Sequence, residues 1–361
     1  MHANSQLAAA ETMPVRVAIV TVAYRSREAL PNLLASLDAD GEHDLARDII
    51  VVDNDSRDGT VEWLRAERSD VVLVESGRNG GFGAGVNLGV ARAAELGCTH
   101  VAVLNPDTRV RRGWLSPLLS ALENTPGAMC VQPLILMDDG RRVNSAGNRV
   151  HLLGFGFTDG YGRDPTAYVD REPFACATCS GCAFVMRVAD FSALGGFDET
   201  FFLYVEDQDL GWRVRLAGGE NLVVPASMID HDYTFSKSAD KFRYLERNRW
   251  AFVGSYFPWS WMVRLAPFFA AMEIAVLLQL ARGGLAGAKW RAMREAMSGE
   301  FRAWVAARRR TAMANPNAAR VLKAHISVKL EFEGLGTSLA DRILNPLLSA
   351  WWRLVGPRQI P

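Results

Sequence analysis

Four short apolar runs, each closed by a turn and followed by a helical pattern, limit what the first part of this chain can become. Val15–Val22, Asp48–Val52, Val71–Val74 and His100–Leu104 read as buried strands. The helices between and after them are a run with Leu30, Leu33, Leu34 and Leu37 on one face, one opened by Asp58-Gly59-Thr60, one from Gly81 to Leu96 and one from Trp114 to Leu122. Strands alternating with such helices imply βαβ units and a parallel, doubly wound sheet, an α/β fold. Sheets of this kind bind ligands outside the carboxyl ends of their strands.

Acidic residues gather where that crevice would lie. Asp53, with Asp55 beside it, either closes an Asx turn or accepts a hydrogen bond from the imide N–H of a uracil or thymine base. Asp107, in Asn105-Pro106-Asp107, either caps the helix near Trp114 or binds Mg2+ or Mn2+, whose hard charge prefers carboxylate oxygen. Glu206, Asp207 and Asp209 either form the acidic first turn of a helix or contain a general base. A metal site, a nucleotide site and a base on one edge describe an enzyme.

Other motifs weigh less. Gly80–Gly85 loosely approaches a dinucleotide fingerprint, but it follows the third strand and lacks G-x-G-x-x-G. A glycine-rich lead-in to a helix can still hold phosphate, with Asn79 and Asn87 as neutral contacts nearby. Cys176, Cys179 and Cys182 lack a fourth ligand at suitable spacing and are separated by small residues, so a tight loop is expected rather than a metal cluster. A strand at Cys182–Met186, a helix near Val188–Leu194 and a last strand at Glu220–Val224 complete the regular structure, and His231, a few residues beyond, could reach the crevice. Residues 138–173 have weak periodicity and read as a surface excursion over it.

The 361 residues suit about two domains. Forty basic and forty acidic residues cancel, so nothing in the net charge points to nucleic acid. Met1–Met13 lack the basic start and apolar core of a secretory signal and read as a frayed tail. Five cysteines, an odd number, fit free thiols in a reducing compartment. In the last third, Leu265–Ala281 is apolar but short for a span and interrupted by Pro267 and Glu273. Trp250, Phe257, Trp259 and Trp261 before it resemble an interfacial aromatic belt. From Arg282 to Arg310 eight Lys/Arg (282, 289, 291, 294, 302, 308, 309, 310) face two Glu (295, 300), a net of plus six. An apolar helix followed by a basic one is expected to lie on an anionic membrane surface. The alternatives are a helical subdomain packed on the rest, or the interface of a homo-oligomer.

The motifs occur in one order: Asp53–Thr60, Arg78–Gly89, Asn105–Asp107, Gly195–Phe202 and Glu206–Leu210. Over residues 15–250 this series resembles glycosyltransferase family 2, of GT-A fold, and in particular its bacterial rhamnosyltransferase-like branch. The resemblance implies a pyrimidine-base contact at Asp53, with Asp55 beside it, and a metal-binding Asp107. Asn105 replaces the first carboxylate of the usual Asp-x-Asp. It further implies Asp207 as general base, with Glu206 and Asp209 as support, and His231 assisting the metal or diphosphate. The implied reaction is inverting transfer of a sugar from a dTDP or UDP donor to a hydroxyl of a lipid-linked or polysaccharide acceptor in cell-envelope synthesis. Rhamnose stands first, with galactofuranose, galactose or N-acetylglucosamine behind. The expected domains are a tail at 1–14, the catalytic domain at 15–235 and a membrane-associating helical module at 236–361. The expected place is cytoplasmic, peripheral on the inner membrane.

A nicotinamide-dependent oxidoreductase would need glycines after the first strand, and Thr21–Ser26 has none. A nucleotidyltransferase would need a glycine- and lysine-rich phosphate loop there. A non-catalytic membrane scaffold would not need Asp107 and Glu206-Asp207 intact, and both are present.

Overall fold

The computed structural model of the protein describes residues 14–232, 238–330 and 345–355. The expected tail at Met1–Met13 and the expected boundary near residue 235 lie outside the described residues.

The first half runs β1 (Arg16–Ala23), α1 (Leu30–Asp38), β2 (Ala46–Asp53), α2 (Thr60–Glu67), β3 (Val72–Glu75), α3 (Phe82–Glu95), β4 (His100–Leu104), β5 (Thr108–Val110), α4 (Leu115–Asn124) and β6 (Ala128–Met137). Next come β7 (Arg142–Ser145), β8 (Asn148–His151), β9 (Gly156–Thr158), β10 (Phe174–Cys176), β11 (Ala183–Arg187), α5 (Val188–Ala193), α6 (Glu206–Leu216) and β12 (Glu220–His231). The C-terminal helices are α7 (Ala239–Tyr256), α8 (Trp259–Arg282), α9 (Ala286–Ala296), α10 (Gly299–Ala314), α11 (Ala318–His325) and α12 (Asn345–Val355), with a short β13 (Ile326–Ser327) between the last two.

The main sheet has the order β10-β12-β6-β11-β4-β1-β2-β3, with β5 on β12 and β7 on β6. β1, β2, β3 and β4 pair in parallel, as do β12 and β6. β11 runs against both β4 and β6, so the sheet is mixed although most strands share one direction. β1 shows why its sequence is uniformly apolar: one face carries Val17 and Ile19 against α1, α2 and α4, the other Ala18, Val20 and Val22 against α3, α5 and α6.

Three expectations are corrected. β6 was not anticipated, because Gln132 and Pro133 interrupt its apolar pattern; Gln132 is wholly buried and Pro133 pairs with Val224. β12 does not stop at Val224. A register shift between Val224 and Met228 absorbs Pro225, and the strand continues to His231. The stretch 138–173 is not a surface loop. Val143, Val150, Leu152, Leu153 and Phe157 are buried, and β13 adds to β8 to make a second sheet, β13-β8-β9.

The C-terminal helices pack into the same core as this stretch: Leu152, Leu153 and Trp212 join Phe252, Phe257, Trp261 and Leu265. Phe257 and Trp261 are therefore core residues, and of the expected aromatic belt Trp259 alone is exposed, at 64%. The basic stretch is also less basic outside than its composition suggests. Lys289 is buried on Glu246 and Glu273, Arg308 binds Asp198 and Asp209, and Arg309 donates to the carbonyls of Gly254 and Phe257. Arg282, Arg291, Arg294, Arg302 and Arg310 remain exposed.

Helix α3 lies unusually close to β1, because a Cβ on Gly89 would fall 2.3 Å from Val20 Cγ1. Gly89→Ala should destabilise the fold by about 1–3 kcal/mol through overpacking, although alanine is the better helix former by ~1 kcal/mol. Urea unfolding with an unchanged slope and a lower midpoint would show it; a raised midpoint would mean that α3 can move away freely.

Candidate active site

Parallel strands place the ends of β1, β2, β4 and β12 on one edge, and reversed β11 brings its beginning to the same edge. Asp53, the last residue of β2, is buried. Its Oδ2 accepts from the Ser56 N–H at 3.3 Å, while its Oδ1 is buried with no partner. A buried acceptor left open is costly unless a ligand donor completes it. Asp55 stands beside it, paired with Arg57 at 2.8 Å. It lines a cavity of about 760 Å³ with Tyr24, Arg25, Arg27, Arg57 and Asp58. Arg25, Asp55 and Arg57 all have left-handed backbone, with φ 54°, 63° and 53°, a kind of strain that collects at ligand sites. Tyr24, 42% exposed at this cavity, offers a ring for a base to stack on. Its only sequence signal was its place just past a strand end.

The glycine-rich run ties the end of β2 to the segment that leads into α6. Asn54, buried, donates to Asn79 Oδ1 (3.1 Å) and the Gly81 carbonyl (3.0 Å) and accepts from the Gly80 N–H (3.2 Å). Gly81 has φ 87°, and a Cβ there would lie 2.0 Å from the Phe202 carbonyl oxygen. The first N–H of α3, that of Phe82, donates to that same oxygen at 3.0 Å. Asn79 and Asn87, expected as nucleotide contacts, are engaged inside the protein. Asn79 Oδ1 accepts from the Gly81 N–H (3.0 Å), and both ends of the Asn87 amide bond to Phe197 backbone (2.9 and 2.8 Å), closing the Gly195–Asp198 turn.

Beyond β4, the Asn105 N–H donates to the Cys182 carbonyl (2.8 Å), and its own carbonyl accepts from Thr108, so Asn105 shapes the turn that presents Asp107. His231 pairs with Thr108 across β12 and β5. Its Nε2 lies 3.4 Å from Asp107 Oδ1, while its Nδ1 donates to Asn144 Oδ1 at 3.1 Å. Burial opposes protonation of His231, but the Cys182 sulfur and the Asp107 carboxylate beside it raise its pKa to about 10. Two neighbouring ligands of an octahedral cation at about 2.1 Å lie about 3 Å apart, so Asp107 and His231 fit a divalent ion, with Asn144 fixing the imidazole from behind. Asn144, a neutral residue in the stretch taken for a surface loop, had no signal in the sequence.

The acidic helix start is the third part. Asp207 accepts from the Gly181 N–H at 2.9 Å and the Gln208 N–H at 2.7 Å. Burial raises its pKa, the backbone bonds offsetting only part of the effect. Glu206 is buried, one carboxyl oxygen has no partner, and burial together with the Asp207 charge raises its pKa to about 8. Asp209 does not support the chemistry directly. Wholly buried, it binds Arg213 (2.9 Å), Tyr256 Oη (2.6 Å) and Arg308, tying α6 to α7 and α10. In the C-x-x-C-x-x-C run Cys176 adjoins Cys179 and bonds the Thr178 carbonyl, Cys179 bonds the Cys130 carbonyl, and Cys182 stands beside His231.

The family model described as glycosyl transferase family 2 matches residues 18–195, and one described as the N-terminal domain of galactosyltransferase matches residues 167–238. N-acetylglucosaminyl-diphospho-decaprenol L-rhamnosyltransferase of Mycobacterium tuberculosis is 31% identical over 240 residues, 62% of this chain and 78% of that one. Rhamnosyltransferase WbbL of Escherichia coli is 28% identical over 254 residues, 64% of this chain and 94% of that one. The crystal structure of GalNAc-T7 with UDP, GalNAc and Mn2+ superposes with a TM-score of 0.56 at 15% identity, covering 70% of this chain and 50% of that one. The last of these speaks to the fold alone, which is GT-A.

Proposed function

We infer the reaction from kinship and geometry together: the chain belongs to glycosyltransferase family 2 and transfers rhamnose from a dTDP or UDP donor to a hydroxyl of a lipid-linked glycan. The acceptor class is suggested by the mycobacterial relative, whose name specifies N-acetylglucosaminyl-diphospho-decaprenol. A second reading, galactosyl transfer by the same machinery, draws on the galactosyltransferase match at residues 167–238.

One observation carries the mechanism. The segment Gly181-Cys182 gives its N–H to Asp207 and its carbonyl to Asn105, so the base and the turn bearing Asp107 are held by adjacent residues. The nucleotide lies along Tyr24, Asp53 and Asp55, where the open Asp53 oxygen accepts the pyrimidine imide N–H. The acceptor oxygen attacks the anomeric carbon as the bond to the diphosphate breaks, and its proton passes to Asp207; attack from the opposite face inverts the configuration. Glu206, mostly protonated below pH 8, leaves the pair with one negative charge, on Asp207. Its lifted pKa makes Asp207 a better proton acceptor than an exposed carboxylate. Asp107 and His231 hold Mg2+ or Mn2+, which when bound supplies positive charge against the departing diphosphate.

The helix α8 supports attachment to the cytoplasmic face of a membrane. Among the described residues it alone is long and apolar enough to cross one. Trp261, Leu265, Phe269, Met272 and Leu280 face the protein, while Trp259, Val263, Ile274 and Leu278 are 51–72% exposed. At about 100° per residue the exposed four share one stripe opposite the buried five. Glu273 turns inward to Arg249 and Lys289. A helix packed along one side lies on the bilayer, and the five exposed arginines of 282–310 add attraction for anionic headgroups.

Asp207→Asn should lower turnover by about 10²–10⁴ while UDP or dTDP binding persists; release of dTDP from dTDP-rhamnose measures it, and near wild-type turnover would move the role to Glu206. The metal carries a pH dependence. The raised His231 pKa stabilises the metal-free fold at low pH, and that contribution is lost as pH rises through about 10. Metal must displace the proton, so Mn2+-dependent binding of UDP should tighten from about pH 6 to about pH 9 and weaken in Asp107→Ala. Full donor binding in excess EDTA would remove the metal from the mechanism. For the membrane, the full chain should sediment with anionic liposomes and be only partly released by salt. Val263→Glu with Ile274→Glu should abolish sedimentation without lowering the thermal midpoint; sedimentation undiminished by that pair would exclude α8 as the attachment face.

A further inference from the structure

The geometry points to Asn248, on α7, as a positioning residue for the catalytic turn, acting on residues 201–205 and through them on Asp207. This rests on Asp207 being the base.

The chain entering α6 is held in a conformation it would not choose. Phe202, Tyr204 and Val205 have φ 65°, 66° and 73°, left-handed values that bulky and β-branched residues rarely adopt. Such backbone persists only where its surroundings overdetermine it. Here the surroundings are chiefly one side chain. Asn248 is wholly buried, and its Nδ2 lies 2.9 Å from the Phe201 carbonyl, 2.9 Å from that of Leu203 and 2.8 Å from that of Tyr204. The carbonyl of Phe202, between them, takes the Phe82 N–H at 3.0 Å. Four consecutive carbonyls are thus fixed, three of them by one amide. Asn248 Oδ1 is buried with no partner, so the residue is kept inside for its N–H groups alone.

The geometric consequence falls on the base. Val205 is the left-handed residue preceding α6, and Asp207 is the second residue of that helix. Gly181 fixes the carboxylate from the crevice side; Asn248 fixes the backbone from the other. The groups on the donor side, Asp53, Asp107 and His231, belong to β2, the turn after β4 and β12, and none is bonded to Asn248. Loss of the amide should therefore move the base and leave the nucleotide site in place.

The test compares Asn248→Ala and Asn248→Asp with wild type and with Asp207→Asn, using the full chain, dTDP-rhamnose and a polyprenyl-diphosphate N-acetylglucosamine acceptor. The aspartate variant keeps the shape but replaces the N–H donor by oxygen, and it carries the test should the alanine variant not fold. Expected is a fall in kcat of about 10–100-fold, the scale of an ångström's misplacement. Affinity for dTDP with Mn2+ should stay within about threefold of wild type. The acid limb of the kcat–pH profile should also move to lower pH, because a displaced Asp207 is better solvated. A folded variant with wild-type kcat, or a loss that only tracks the folded fraction with kcat per folded molecule unchanged, would overturn the inference. Should Asp207→Asn stay active, the base assignment fails and this inference with it. Should Asp207→Asn be inactive while both Asn248 variants turn over normally, only this inference fails.

Discussion

The reversal of β11 is the constraint on which the site depends. Inserted antiparallel between β4 and β6, it brings the start of a strand to the edge where its neighbours end. Ser180, Gly181 and Cys182 thereby meet Gln132, Asp207 and Asn105 in turn, through hydrogen bonds of 2.7, 2.9 and 2.8 Å. An all-parallel sheet would put only strand ends and helix starts on that edge. It would have no strand start there to offer the Gly181 N–H to the carboxylate of Asp207.

The C-terminal helices are part of the same construction. Arg308 reaches Asp198 and Asp209, Trp304 donates to Asp198 at 2.9 Å, and Tyr256 holds Asp209. Farther out, Arg249 and Lys289 meet Glu246 and Glu273 in a buried group of four charges linking α7, α8 and α9. Buried ion pairs are poor sources of stability, but breaking one strands its partner. The quartet therefore sets which face of α8 turns inward, and so which face stays exposed.

What could be read in the sequence was what local pattern controls. Apolar runs announced β1 to β4, and strand ends placed Asp53 and Asp107 on the crevice edge, although a turn or a helix cap would call for the same carboxylates. The fold was legible on that basis. His231 was placed beyond the strand because Pro225 ordinarily stops a ladder, and only the register shift carries β12 past it. Asn54, Asn144 and Asn248 were silent because a neutral amide has no pattern until its partners, distant in sequence, are known. The same ambiguity hid the internal hydrogen bonds of Asn79 and Asn87. Charge counting overstated the basic helices, since the acids that turn Lys289 and Arg308 inward come from other segments.

The second sheet has a consequence for how the molecule is made. β13 pairs in parallel with β8, and His151 Nε2 bonds the Val328 carbonyl across 177 positions at 3.0 Å. Contacts this remote in sequence form late and slowly. During synthesis the sheet beside α6 waits for a strand that emerges only after α11, while the β1–β4 units can already pack. A ribosome-bound chain would thus display packed β1–β4 units beside an unfinished second sheet until β13 has emerged.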